Sequence, residues 1–246
     1  MAELNHAQRT ARLALAIERS PLAPAPPEPC SYLPGRQAQH VFVLGPAGRP
    51  GLYHSFMDLN FRRSGAVFYR PMCEGCSACR AIRVPAESFA PDRSQRRCWR
   101  RNGDVTVSVA RPEPDEEKHE LYARYLRGRH RSGSMSGSWE EFCRFLHESP
   151  IDTREASFRV DGRLLAVSVF DVEPEALSAV YCYFDPAEQS RAPGVLNVLW
   201  LLTHARDLGM PWVYLGYWIA ECPNMAYKAR YRPCEVRGDD GVFRPL

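Results

Sequence analysis

Three apolar runs decide the fold: ASFRV at 156–160, LLAVSVF at 164–170 and LSAVYCYF at 177–184. Asp161-Gly162 lies between the first two, and such a pair closes a two-residue hairpin because both turn positions need positive φ. The runs therefore predict three successive antiparallel strands. GVLNVLWLLTHARDL at 194–208 follows, with Leu196, Leu199, Trp200 and Thr203 at helical spacing, and VYLGY at 213–217 reads as a further strand. A meander, a long helix and another strand predict an α+β fold for this half of the chain.

Working back toward the N-terminus, VTVSVA at 105–110 alternates and predicts a strand. Arg111-Pro112-Glu113-Pro114-Asp115 is turn-rich and charged. It predicts a boundary between residues 1–111 and residues 112–246. Helices are expected after it, first around Leu121, Tyr122, Tyr125 and Leu126, then over Trp139 to Leu146. Before the boundary, strands are expected at 39–44, 67–69 and 81–84. A short helix is expected over 53–61, stopped by an Arg62-Arg63-Ser64-Gly65 turn, and another over 94–102, with Ser94 as its start signal and Asn102-Gly103 as its stop. The stretch Pro21 to Pro29 reads as an irregular lead-in, and Met225 to Arg230 as a short helix.

Composition narrows the function. No run approaches eighteen apolar residues, and the N-terminus has no uninterrupted apolar core, so a membrane span and a secretory leader are not expected and a cytoplasmic location is. The net charge is +3, yet residues 61–101 carry ten Arg against Glu74, Glu87 and Asp92. A basic block on a near-neutral chain suits an anionic partner on one face, although a solvated Arg-rich surface has the same composition. No Ser-His-Asp set or HExxH pattern is present, which disfavours a hydrolase.

Four groups of residues carry chemistry. Cys73, Cys76 and Cys79 form two Cys-x-x-Cys units sharing Cys76, with Cys30 as a fourth thiol. Such a set takes zinc or an iron–sulfur cluster, or packs as reduced thiols. Arg62 and Arg63 suit bidentate contact with a carboxylate or phosphate. Arg96 and Arg97, with Arg100 and Arg101, suit a phosphate backbone. Tyr181, Tyr183, Tyr217 and Trp218 sit at strand ends that could open on one crevice. Lys228 follows them, one of two lysines among 32 basic residues.

The element order is that of the GNAT acyltransferases, whose acyl-CoA loop ends on a small residue. Here Arg191-Ala192-Pro193-Gly194-Val195-Leu196 ends on Leu196, which opposes acetyl-CoA. The chain also resembles the bacterial aspartate/glutamate leucyltransferases, relatives of the eukaryotic arginyl-tRNA–protein transferases. CSYLP at 30–34, FRRSG at 61–65, YRPMCEGCSAC at 69–79, SQRR at 94–97, YCYFDP at 181–186 and YLGYW at 214–218 with MAYK at 225–228 carry the resemblance, in this order. Asn60 stands where many relatives have Gly, and Ala192-Pro193 where Ser-Leu is commoner.

That resemblance implies an N-terminal domain with the cysteine motif and a C-terminal GNAT-like domain. It implies Leu-tRNA as donor and proteins with N-terminal Asp or Glu as acceptors, with products destined for N-degron degradation. Ester aminolysis needs no cofactor. Lys228 and Tyr217 are the expected catalytic residues. Arg62, Arg63 and Lys228 are the candidates for the acceptor carboxylate, Tyr181, Tyr183, Tyr217 and Trp218 for the aminoacyl group, and Arg96 and Arg97 for the tRNA; the proton of the acceptor amine goes to a nearby neutral group or a water chain. Arginyl transfer to the same acceptors, or a metal-dependent RNA-binding module without catalysis, remain the alternatives.

Overall fold

The computed structural model describes residues 4–19, 22–44, 49–129 and 137–246. In chain order the elements are α1 (His6–Arg19), β1 (Glu28–Pro29), β2 (Gln37–Ala38), β3 (His40–Leu44), α2 (Leu52–Asp58), β4 (Arg62–Ser64), β5 (Val67–Pro71), β6 (Arg80–Pro85), α3 (Arg93–Arg101) and β7 (Thr106–Ala110). Then come α4 (Glu116–Arg129), α5 (Trp139–Phe142), β8 (Thr153–Val160), β9 (Arg163–Glu173), β10 (Ala176–Phe184), α6 (Pro193–Asp207), β11 (Trp212–Trp218), α7 (Pro223–Ala226), β12 (Glu235–Arg237) and β13 (Phe243–Pro245).

The protein is a mixed α/β structure around one large sheet of order β13-β12-β6-β11-β10-β9-β8-β7. The expected hairpin joins β8 to β9, with Asp161 at φ 48° and Gly162 at φ 80°. Strand β9 is buried over nearly its whole length, because α6 covers one face of the sheet while α4 and the helix after it cover the other. Pro193 opens α6, where its missing N–H costs nothing, and Leu196, Leu199, Leu201, Leu202 and Ala205 bury against the sheet.

The division expected at residue 111 falls between β7 and α4, and the sheet draws on both sides of it. Strand β6 pairs with β11 and β12 in the interior of the sheet, and β7 pairs with β8 at its edge. A separate three-stranded sheet, β3-β5-β4, packs with α2 around Tyr53, Phe56, Phe61 and Phe68.

Local expectations shift in four places. Helix α2 ends at Asp58 because Asn60 takes a left-handed φ of 67°; Arg62–Ser64 is a strand rather than a turn. Helix α3 starts at an Asp92 cap, not at Ser94: Asp92 accepts from the Gln95 N–H, and Gln95 accepts from the Asp92 N–H, both at 2.8 Å. Helix α5 is one turn long and continues as a π-helix over Cys143–His147. The described part of the Pro-rich lead-in holds only β1, and Pro21 lies outside the described residues.

Arg63 fastens the small sheet to the large one. Its Nε and Nη2 donate to Asp171 at 3.0 and 2.7 Å, and Nη1 donates to the Gly65 carbonyl at 2.8 Å; neither charged side chain is exposed. Removing one partner would leave a buried charge uncompensated. Arg63→Met is thus expected to cost ~3–5 kcal/mol in urea denaturation. The double variant Arg63→Met/Asp171→Leu should recover much of that loss. A single variant within 0.5 kcal/mol of wild type, by order of magnitude, would contradict this role.

Candidate active site

Strands β10 and β11 are the one parallel pair in the large sheet. They pair only from Ala176–Ser178 against Trp212–Tyr214. Beyond that both strands continue while their pairing stops, so a wedge opens between them. Each strand also bulges there: the β10 register against β9 shifts between Ala179 and Tyr181, and the β11 register against β6 shifts between Tyr214 and Gly216. A glycine inside VYLGY marks such a bulge. Gly216 has φ 83°, and a Cβ on it would collide with the Arg62 guanidinium.

Arg62 enters this wedge from β4. Its Nη2 donates to the Ala179 carbonyl at 2.8 Å, while its buried Nη1 has no hydrogen-bond partner among the described residues. Buried donors are rarely left so, and a carboxylate is the acceptor a guanidinium edge fits best. Asn60 braces this part of the site, its side chain donating to the Cys79 carbonyl at 2.8 Å and accepting from the Ala81 N–H at 2.7 Å. Its φ of 67° is left-handed, a region that Asn tolerates better than most residues with a side chain.

Lys228 closes the wedge from the 3₁₀ turn after α7. It is buried, its Nζ donates to the Tyr217 carbonyl at 2.7 Å, and no carboxylate pairs with it among the described residues. Burial, and then the nearby Arg62 charge, push its ammonium down to about 7. The other lysine, Lys118, is buried as well but sits against Glu155 at 2.5 Å and Asp115 at 3.1 Å. Burial works against its charge, yet Glu155 and Asp115 raise its pKa above the ordinary lysine value. Two buried lysines thus have opposite electrostatics, and of the two only Lys228 offers a proton-accepting amine at neutral pH.

The other expected site residues divide. Tyr217 meets Lys228 through its backbone carbonyl, whereas its hydroxyl donates to the carbonyls of Asn60 at 3.0 Å and Tyr69 at 3.4 Å. It therefore positions the site rather than offering a free phenol. Arg63 is spent on Asp171 and cannot meet an acceptor. Tyr183 is fully buried beneath α4 among Leu121, Tyr122 and Phe142, so it is core rather than pocket wall. Tyr181 is half-buried on the same face, with its ring against Tyr122, Tyr125 and Phe145. Trp218 packs on the α6 side, its Nε1 buried without a hydrogen-bond partner among the described residues. Arg96 and Arg97 lie exposed on α3, and Arg97 with Arg101 borders a groove at the start of α6.

The cysteine loop joins β5 to β6, and Cys30 approaches it from the β1–β2 hairpin. Cys30 accepts from the Leu33 N–H and Cys73 from the Gln39 N–H, each at 3.4 Å, and Arg36 donates to Cys76 at 3.3 Å. Burial and then the neighbouring thiols Cys30, Cys73 and Cys76 push Cys79 up to about 12. Among the described residues, the only three metal-ligating groups with atoms within 4.8 Å of one another are His6, His54 and Asp58. No three of the thiols therefore lie mutually within that distance, whereas the edges of a tetrahedral site with Zn–S bonds of about 2.3 Å are about 3.8 Å. The donor types fit a metal, but the spacing is not that of an assembled four-thiolate site. The histidine set is no better suited: the two rings stack at 3.7 Å, so their in-plane lone pairs do not converge. Asp58 there accepts from Tyr214 and meets His6 at 2.8 Å, locking α1 to α2 and β11.

Arg62 over Gly216 and the role of Asn60 were not readable from residue types alone. Gly216 in an apolar strand was the available signal for the bulge. Trp99 carried no such expectation, although helical spacing places it beside Arg96 and Arg100.

This architecture, a sheet wedge holding an unpaired guanidinium and a low-pKa amine beside a basic helix, suits transfer between an anionic donor and an acidic acceptor. Residues 28–97 match the family described as "Arginine-tRNA-protein transferase, N terminus", and residues 117–238 match its C-terminal counterpart. The chain belongs to this family of aminoacyl-tRNA–protein transferases. Within it, the similar full-length relatives are aspartate/glutamate leucyltransferases. That of Hahella chejuensis is 44% identical over 213 residues, covering 86% of this chain and 91% of the relative. That of Pseudomonas savastanoi pv. phaseolicola is 46% identical over 213 residues, covering 85% and 90%. In fold alone, the chain is similar to a conserved Bacteroides thetaiotaomicron protein of unknown function, at a TM-score of 0.51 and 12% identity, covering 91% of this chain and 71% of that one.

Proposed function

We propose that this enzyme transfers leucine from Leu-tRNA to the α-amine of proteins beginning with Asp or Glu, in the wedge between β10 and β11. The observation that carries the reading is the pairing of Arg62, with its unpartnered buried Nη1, and Lys228, held near neutrality. Arg62 receives the acceptor carboxylate. Lys228 takes the proton from the α-ammonium, whose reference pKa is about 8, so the transfer is nearly isoenergetic. The freed amine attacks the ester carbonyl, a C–N bond forms and the C–O bond to the tRNA ribose breaks. The departing ribose oxygen takes that proton back from Lys228, and the second proton shed by the attacking nitrogen as it becomes an amide passes to the again-neutral Lys228 and from there to solvent.

Specificity and catalysis are coupled at this pair. The Arg62 charge helps keep Lys228 neutral, and a carboxylate docking on Arg62 offsets that charge. Lys228 becomes a stronger base when an acidic acceptor arrives. The Arg62 charge disfavours an arginyl side chain in the wedge, which supports leucine over arginine as the transferred group. Relatives with leucyltransferase names across most of the chain agree with this choice.

The GNAT-like order of the C-terminal half supports the division into residues 1–111 and 112–246, but not acetyl-CoA as donor. Pro193 has no N–H, and the Val195 and Leu196 N–H groups already donate to the Ala192 carbonyl at 2.9 and 3.1 Å. The start of α6 is left with little to offer a pyrophosphate. Arg96 and Arg97 serve the tRNA backbone. The modified proteins enter the cytoplasmic N-degron route implied by the sequence resemblance. Cys30, Cys73, Cys76 and Cys79 have a structural role, and a zinc ion or iron–sulfur cluster there requires the sulfurs to be drawn together. Metal assay of anaerobically purified protein tests that role: one equivalent lost in Cys76→Ser supports it, and none in wild type removes it.

The whole reading is tested by offering labelled Leu-tRNA and Arg-tRNA separately with peptides starting Asp, Glu, Lys or Ala. Leucine on the Asp and Glu peptides alone is the expected result. Arginine transferred in its place would make this an arginyltransferase, and no transfer from either would end the reading.

A further inference from the structure

An apolar cavity of about 370 Å³ lies between α3 and α6, away from the wedge. Phe89, Trp99 and Leu202 line it, and Arg96, Arg100 and Arg206 stand around it. Its size is that of a small-ligand pocket. Trp99 is 42% exposed, unusual for so large an apolar ring on a short helix. None of Arg93, Arg96, Arg97, Arg100, Arg101 and Arg206 is in an ion pair among the described residues, whereas Arg63, Arg83, Arg159, Arg163 and Arg191 all are. Arg96 is held in place by donating to the Pro91 carbonyl at 2.5 Å.

We propose that this pocket binds an unpaired nucleobase of the tRNA donor, stacked against Trp99, with the flanking phosphates on Arg96, Arg100 and Arg206. The assignment rests on the transferase reading above. Charge complementarity selects the occupant: the pocket joins a flat aromatic surface to guanidinium groups and presents no acidic side chain. Single-stranded nucleic acid is recognised by this combination of stacking platform and backbone charge. Arg97 and Arg101 continue the positive strip along α3 to the groove at the start of α6. A strand held at Trp99 therefore has a charged path toward the end of the sheet where β10 and β11 part. An acidic peptide would meet the same charges, but the acceptor's carboxylate already has its partner in Arg62.

The test measures KM for Leu-tRNA and for an Asp-starting peptide, together with the Kd of uncharged tRNA across a salt series, on the full chain. Trp99→Ala is expected to raise KM for Leu-tRNA and the tRNA Kd by roughly 5–150-fold, the range spanned by one lost base stack. Its kcat and peptide KM should stay near wild type, and Trp99→Phe should restore most of the affinity. The slope of log K against log salt should be unchanged in Trp99→Ala but lower by about 0.7–0.9 in Arg100→Gln, one phosphate contact fewer. The Arg206→Gln variant repeats the slope test away from α3. Wild-type tRNA affinity in Trp99→Ala would overturn the assignment while leaving leucyl transfer intact. A rise in peptide KM alone would also overturn it, by giving the pocket to the acceptor protein. Failure of the wild-type chain to transfer leucine would instead remove the transferase reading.

Discussion

Lys228→Met is expected to lower leucyl transfer to an Asp-starting peptide by roughly 100- to 10,000-fold at pH 7.5, the usual worth of a positioned general base. The substituted side chain is similar in length and apolar, and it removes a buried amine that pairs with no carboxylate among the described residues. Thermal stability should therefore hold or rise while activity falls, a pattern typical of a site strained for function. The pH profile gives a second signature. Lys228 must be neutral to accept a proton, so the wild-type rate should climb as pH rises through about 7 and then level. Lys228→Met should lose that limb. The stability linkage has the matching sign: with the folded pKa depressed to about 7, the unfolded chain binds more protons between there and 10.5, so this group's contribution improves as pH rises across that window. An unchanged rate in Lys228→Met would end its assignment as the base.

Arg62→Ala is expected to reduce kcat/KM for Asp and Glu peptides by roughly 30- to 5000-fold, the cost of leaving a buried carboxylate unpaired. Arg62 also ties β4 to β10, so some loss would follow from structural loosening alone. The discriminating readout is a ratio. Wild type should favour an Asp peptide strongly over the matching Asn peptide, and Arg62→Ala should bring that preference close to unity. The KM for Leu-tRNA should stay within about twofold, the scatter expected where no contact is lost. Retained Asp-over-Asn preference in Arg62→Ala would place the carboxylate elsewhere.

The C-terminal meander, the long helix and the final strand were legible because period-two and period-3.6 patterns are strong over those lengths, and Asp161-Gly162 names its own turn. The joining of β6 and β7 to the same sheet was not legible. Strand β6 pairs with partners more than a hundred positions away, as in Arg80 with Trp218, and β7 pairs with β8 across the intervening helices, as in Thr106 with Arg159; such pairing depends on tertiary contacts that local pattern does not encode. The adjacent pair Arg62 and Arg63 shows the same limit within two residues. Side chains alternate across a strand, so one faces the wedge and its neighbour faces Asp171. Residue type called both carboxylate binders; only the fold says which carboxylate. The scarcity of lysine in an Arg-rich chain draws attention to Lys228 as an ammonium, whereas its low pKa follows from burial beside Arg62, which residue type does not show. Residue type does not separate Tyr183 from Tyr217, because a tyrosine at a strand end can bury its ring in the core, as Tyr183 does, or satisfy its hydroxyl on a backbone carbonyl, as Tyr217 does.

The chain's two lysines make its central claim directly measurable. Protein labelled with 15N only at lysine should give two side-chain amine signals, one from Lys118 and one from Lys228. Titrated by NMR, with Lys228→Met assigning the pair, the Lys228 signal should move with a midpoint near 7, while the Lys118 signal should stay charged beyond the ordinary lysine range. A Lys228 midpoint at or above 10 would contradict the account, because the wedge would then hold a permanent cation and no base for the transfer.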